Sequence, residues 1–235
     1  MATDVIPYSV DGAAFDMHVE WPEGPGPYPA VVLFHAWGGR DDFCVLKARL
    51  LADQGYVVAA VDLYGIGKRG TDAESSGALM NGLLGDPALL RRRIEQSVAA
   101  VGGLQGVDPD RMGAIGFCFG GLCALLAARL GLELRGVVSF HGLLKIGEPL
   151  ETRPKARILV QHGQDDPMVP PADVAAFAEE MKRVDAEWTL HAYPRVVHAF
   201  TNMEANDVAS GLAYDADADR RSWAEMKAFF AEVLA

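Results

Sequence analysis

The sequence predicts an α/β fold: a mostly parallel central sheet with helices on both faces and antiparallel strands at its N-terminal edge. Two observations carry this reading. Short, continuous apolar runs recur between Ala30 and Tyr193, and amphipathic helical patterns separate them. A strand buried on both faces loses the alternation of a half-buried one, so unbroken apolar strands imply helices above and below the sheet. A third observation locates a site. Gly116-Phe117-Cys118-Phe119-Gly120-Gly121 falls where one apolar run gives way to a helical stretch.

Taken in chain order, Asp11-Gly12 is a hairpin signal. The stretch after it sets Phe15, Met17, Val19 and Trp21 against Ala14, Asp16, His18 and Glu20. Alternation beside such a turn predicts two antiparallel edge strands. The proline-rich run from Trp21 to Pro29 reads as a loop. Ala30–Phe34 is a buried strand, followed by a helix over 42–53 with Leu46, Leu50 and Leu51 on one face. Val57–Val61 is the next strand, and Gly65 to Gly85 reads as a long glycine-rich loop, either a lid or a surface connection. Asp86-Pro87 then opens a helix with Leu90, Ile94, Val98 and Val101 on one stripe.

Further strands are expected at Met112–Phe117, Gly136–Phe140, Arg157–Gln161 and Glu187–Tyr193. A helix from Leu122 to Leu130 follows Cys118, another from Pro171 buries Val174, Phe177, Met181 and Val184, and a last one aligns Trp223, Met226, Phe230 and Val233. With no internal repeat and no compositional break, residues 1–235 are expected to form one domain.

Composition narrows the function. The formal net charge is −11, and the longest basic cluster is Arg91-Arg92-Arg93. This argues against nucleic-acid and anionic-membrane partners. An odd count of three cysteines does not make a disulfide framework. With no secretory signal and no apolar run of membrane-spanning length, a reducing cytoplasm is the expected location. No histidine pair has helical ligand spacing, so neither a metal nor a cofactor is expected.

A nucleophile on a sharp strand-to-helix turn needs small neighbours at minus two and plus two, and Gly116 and Gly120 stand there around Cys118. With 25 glycines and three cysteines in the chain, about 0.03 such matches arise by chance. A small buried cysteine in a glycine-rich turn is the alternative. Such a turn also sets the N–H of Phe119 at a helix N-terminus, where it can stabilise an oxyanion. Trp37, in Ala36-Trp37-Gly38-Gly39 after an earlier strand, is the best second donor.

Sites on open parallel sheets form beyond the strands' carboxyl ends, which singles out two further turns. One strand leads into His162-Gly163-Gln164-Asp165-Asp166-Pro167, and the last leads into His198-Ala199-Phe200. Nucleophile, acid and histidine in that order suit a hydrolase. Asp166, held before Pro167, is the favoured acid and Asp165 the alternative. His35, His141 and His162 also fall at strand ends, as loop-orienting or substrate-lining groups.

These motifs together resemble the dienelactone hydrolase family of α/β-hydrolases. The resemblance spans essentially the whole chain: Gly-Phe-Cys-Phe-Gly-Gly at the elbow, His-Gly-x-x-Asp at the acid turn, His-Ala-Phe after the last strand, and Tyr214-Asp215-Ala216-Asp217 with Arg221 and Trp223 near the C-terminus. It implies an α/β-hydrolase fold, Cys118 as nucleophile, Asp166 as orienting acid and His198 as base. The implied reaction is cleavage of a small carboxylic ester or lactone through a thioester, by a monomer or small homo-oligomer. Acyl transfer, or redox sensing or ligand binding on a hydrolase scaffold, are the alternatives. Two positions depart from the family's founding members: Ala36 stands where they carry a Glu, and Asn202 where they carry an Arg for the substrate carboxylate. His35, Tyr64, Arg40, Arg91, His141 and Asn202 are the candidate substrate-lining residues, with Arg195 a further carboxylate partner.

Overall fold

A computed structural model describes residues 2–235. The hairpin forms as predicted, with β1 (Ala2–Val10) antiparallel to β2 (Ala13–Trp21) around Asp11-Gly12. β2 pairs antiparallel with β4 (Val57–Val61), and β4 lies parallel to β3 (Tyr28–Phe34). From there the sheet continues in parallel through β5 (Val107–Phe117), β6 (Gly136–Phe140), β7 (Arg157–Gly163) and β8 (Trp188–Tyr193). The strand order is β1-β2-β4-β3-β5-β6-β7-β8. This is the α/β-hydrolase architecture expected from the apolar runs.

Side chains alternate between two cores. Ala30, Val32 and Phe34 of β3 face one, with α3 (Pro87–Gly102), α4 (Phe119–Arg129) and α5 (Pro171–Arg183). Val31 and Leu33 face the other, with α1 (Asp42–Ala52) and α6 (Ala216–Val233). α3 starts as expected, Asp86 accepting from the N–H of Leu89 with Pro87 in the first turn, and it buries Leu90, Ile94, Val98 and Val101. In α6, Met226 and Phe230 are fully buried, with Trp223 and Val233 packed beside them.

Two elements differ from the sequence reading. Gly65–Gly85 is not a loop throughout, since Ala73–Leu84 forms α2. Asp72 caps it by accepting from Ser75 N–H at 2.7 Å, and Ser75 Oγ answers by accepting from Asp72 N–H. The cap, together with Leu83 buried and Leu79, Met80 and Leu84 packed against the core, offsets the propensity cost of Gly77 and Gly82 within the helix. In α1, the buried face is Cys44, Lys47, Ala48, Leu51 and Ala52, while Leu46 and Leu50 are exposed. The face is turned by Lys47, whose ammonium binds Asp219 at 3.1 Å and lies 4.8 Å from the Trp223 ring centroid. That pairing buries a long side chain where the periodicity suggested leucine.

In the parallel part, Phe34 pairs with Gly116, Phe117 with Phe140, and Phe140 with Gln161. The carboxyl ends of β3, β5, β6, β7 and β8 therefore open onto one edge.

Candidate active site

Cys118 joins β5 to α4 with φ 56° and ψ −116°, a region that L-residues occupy only under constraint. Close packing supplies the constraint. A Cβ on Gly120 would lie 2.1 Å from the carbonyl oxygen of Phe34, and one on Gly116 would lie 1.9 Å from that of Gly120. The N–H of Cys118 donates to the Phe140 carbonyl at 3.0 Å, tying the turn to β6. The thiol is half-buried, whereas the neighbouring Cys123 is fully buried and burial pushes its thiol well above the ordinary range.

His198 and Asp166 arrive on the loops after β8 and β7. His198 Nδ1 and Asp166 Oδ2 are 2.7 Å apart, and both side chains are almost wholly buried. The second oxygen of Asp166 accepts from the N–H of Met168 at 2.8 Å. Of the two candidate acids it is therefore Asp166 that meets the histidine, while Asp165 is exposed at the surface. His198 is anchored by its own N–H to the Gly211 carbonyl (3.0 Å) and by Ala213 N–H to its carbonyl (3.1 Å). Its Nε2 is buried and makes no hydrogen bond of ordinary geometry. Burial disfavours charge on the ring, but Asp166 and Cys118 outweigh it, and the pKa is raised to about 10. Hydrogen bonds at such sites often tighten only around a substrate.

Phe119 is the first residue of α4, so its N–H has no intrahelical acceptor and points out of the helix end beside the thiol. Trp37 sits across the mouth on the loop after β3. That loop is braced from behind by residues that the sequence placed in the substrate pocket. Leu63 N–H donates to His35 Nε2 (3.1 Å), so the proton lies on Nδ1, which donates to the Ala36 carbonyl (2.7 Å). Burial holds His35 down at about 4, so it is neutral. Tyr64 Oη donates to the Trp37 carbonyl at 2.8 Å and its ring stacks against Phe119.

A cavity of about 440 Å³ opens over Cys118 and His198. Of the expected lining residues, His141 and Asn202 contribute to it; His35, Tyr64, Arg40 and Arg91 do not. His35 and Tyr64 are buried behind it because their polar atoms are used to brace the loop. Arg40 is drawn away by an ion pair with Asp16. Arg91 is exposed on α3 and borders a separate groove with Leu126 and Lys145. Arg195 is likewise exposed and does not line the cavity. His141 donates to or accepts from Thr201 Oγ1 at 2.9 Å and sets its ring edge against His198, centroids 5.0 Å apart. Burial, then the His198 charge, holds it well below the ordinary histidine range.

Sequence reasoning missed Met80, Asp41, Phe43, Met168 and the 204–207 stretch, all of which line the cavity. Met80 was hidden by the misread α2. The others lie on the segments that follow β3, β7 and β8, the 204–207 stretch more than ten residues past β8, too far along for the strand-end rule to single it out. A larger groove of about 930 Å³ beside α5 lacks a nucleophile and is remote from Cys118. Among the described residues no cluster could hold a metal ion, and no helix is long and apolar enough to cross a membrane.

An eight-stranded sheet of this topology, with a strained residue between strand and helix and an Asp–His pair beside it, defines an α/β-hydrolase. The chain matches the Dienelactone hydrolase family over residues 15–234. It belongs to that family, and so is a hydrolase of the ester- and lactone-cleaving kind. A solved dienelactone hydrolase-like promiscuous phosphotriesterase from metagenomic libraries is 34% identical. It superposes with a TM-score of 0.93, covering 100% of this chain and 99% of that one. An uncharacterised protein of Caenorhabditis elegans is 39% identical over 150 residues, 62% of this chain and 95% of its own length. A protein of Bradyrhizobium sp, "Probable 2-oxo-3-(5-oxofuran-2-ylidene)propanoate lactonase", is 27% identical over 212 residues, 85% of this chain and 84% of its own.

Proposed function

We propose that this chain is a single-domain, thiol-dependent hydrolase of small carboxylic esters or lactones, working in a reducing cytoplasm through Cys118, His198 and Asp166. The observation that carries the reading is the Asp166–His198 pair at 2.7 Å beside a half-buried Cys118 on a strained elbow. Three free cysteines fit a reducing compartment.

In this mechanism Asp166 accepts from Nδ1–H of His198 and stabilises the imidazolium, leaving the Nε2 proton for transfer. The Cys118 thiolate attacks the substrate carbonyl carbon, and the electron pair moves to the oxygen. The backbone N–H groups of Phe119 and Trp37 stabilise that oxyanion, each donor contributing about 3 kcal/mol of barrier lowering. Collapse breaks the ester C–O bond, and the departing alkoxide takes the Nε2 proton. A thioester remains, with neutral His198 beside it. His198 then removes a proton from water as the water oxygen attacks the thioester. Collapse releases the carboxylic acid and restores the thiolate–imidazolium pair. In a lactone the leaving alkoxide stays tethered to the acyl group, and the product is a hydroxy acid. The brace from Tyr64 and His35 keeps the Trp37 loop in place without titrating near neutral pH.

Cys118→Ala tests the reading. It should lower the hydrolysis of a p-nitrophenyl ester by about 10³-fold or more with an unchanged circular dichroism spectrum. Mass spectrometry of the wild type with a slow ester should find one acyl adduct, on Cys118. Undiminished turnover in the variant would overturn the assignment.

A further inference from the structure

The charges around the cavity specify more than the reaction. Among the described residues no Arg or Lys lines it, whereas Asp41, Glu204 and Asp207 do. The cations nearby are engaged elsewhere: Arg40 with Asp16, Arg69 with Asp62, and Lys47 with Asp219. His35 is neutral and hydrogen-bonded at both ring nitrogens, and His141 is held neutral by burial. Among the described residues the cation facing the space is His198, already matched by Asp166. Asp41 is fixed where it is, because it caps α1 by accepting from Cys44 N–H at 3.0 Å. The rest of the wall includes Trp37, Phe43, Phe117, Met80 and Met168, surfaces suited to apolar groups and to cations over aromatic faces.

Resting on the hydrolase reading above, we propose that the cavity selects esters that carry no negative charge, turning over cationic and neutral substrates in preference to carboxylate-bearing ones. A carboxylate entering the cavity would meet three exposed acidic side chains, two of them, Asp41 and Asp207, held by backbone N–H groups, with no cation among the described residues free to pair with it. The whole chain, at −11, repels it as well. Exposed charges lining one cavity change binding about threefold each at low salt, and the three about thirtyfold together, and salt weakens the effect.

The test uses three p-nitrophenyl esters of similar size: butyrate, the mono-ester of glutarate, and 4-(trimethylammonio)butyrate. Each kcat/KM is divided by that ester's own hydroxide rate constant, which removes intrinsic reactivity. At low ionic strength the expected order is cationic, neutral, anionic, with the glutarate ester about thirtyfold below butyrate. The gap should narrow in 0.5 M salt. Glu204→Lys and, separately, Asn202→Arg should each raise the glutarate-to-butyrate ratio by roughly three- to tenfold, mainly through KM. Glutarate ester turnover equal to or above that of butyrate in the wild type would overturn the inference alone, as would a ratio unmoved in both variants. Failure to hydrolyse any of the three would overturn the hydrolase reading and this inference with it.

Discussion

The carboxyl end of β5 and the loops after β7 and β8 place Cys118, Asp166 and His198 by different physical means. Cys118 is set by backbone packed against backbone: Gly116, Gly120 and the carbonyl of Phe34 leave no space for a methyl group. His198 and Asp166 are instead held by a few hydrogen bonds, to Gly211, to Ala213 and to the N–H of Met168. The 202–210 stretch between these anchors is largely exposed. Cys118, the proposed nucleophile, thus shares the rigidity of the core, while His198, the proposed base, and one wall of the cavity sit on loops, where sequence can vary without unfolding the sheet. Damage to the two regions should accordingly separate into losses of stability and losses of rate.

Gly120→Ala should have the largest effect and fall on stability. Its new Cβ would be driven into the Phe34 carbonyl and the His35 carbonyl, both backbone, so no side chain can yield. The expected loss is about 4 kcal/mol or more, which lowers the melting temperature by roughly 10 °C for a chain of this size. Differential scanning calorimetry reads it, and an unchanged melting temperature would break the contrast between the two regions.

Asp166→Asn should do the reverse. The amide preserves shape but no longer favours the imidazolium or the Nδ1–H tautomer, so kcat should fall about 10³- to 10⁴-fold with little change in melting temperature. Asp165→Asn, at the exposed neighbour, should change kcat less than twofold. Similar losses from both would mean that the loop, rather than the buried carboxylate, is what matters.

The raised pKa of His198 makes the same pair visible in a pH profile. In the proposed mechanism the imidazolium protonates the leaving group, and it persists up to about pH 10, so kcat/KM on a neutral ester should decline only above that value. The sign for stability follows from the same shift. A raised histidine contributes fully below its ordinary value of 6.5 and loses that contribution as pH climbs towards 10. Cys118→Ala removes one of the groups that raise it, so its melting temperature should fall less than that of the wild type between pH 7 and 10.

The contrast also explains what could be read from the sequence. The parallel strands were legible because burial on both faces writes unbroken apolar runs, and the elbow because its glycines are required by contact. The order of Cys118, Asp166 and His198 followed from strand ends. The cavity wall was less legible. Arg40 looks available in sequence, and only the fold shows Asp16 beside it; His35 and Tyr64 look like pocket residues until their hydrogen bonds to the Trp37 loop are seen. α2 was missed because four glycines between Gly70 and Gly85 outweighed a cap, Asp72 with Ser75, in which the acid comes first rather than fourth.

A smaller expected loss tests whether Tyr64 belongs with the rigid region. Tyr64 is almost wholly buried, its ring lies 4.7 Å from that of His35, and its hydroxyl is the tie to the Trp37 carbonyl. Tyr64→Phe keeps the ring packing and deletes that one bond, a change of about 1 kcal/mol. If the bond holds the Trp37 N–H on the developing oxyanion, the loss should appear as a fall of about fivefold in kcat with KM unchanged, since a donor aimed at the transition state contributes little to ground-state binding. A rise in KM at constant kcat would instead make Trp37 a wall of the cavity, and the second oxyanion donor would have to come from elsewhere on the β3 loop.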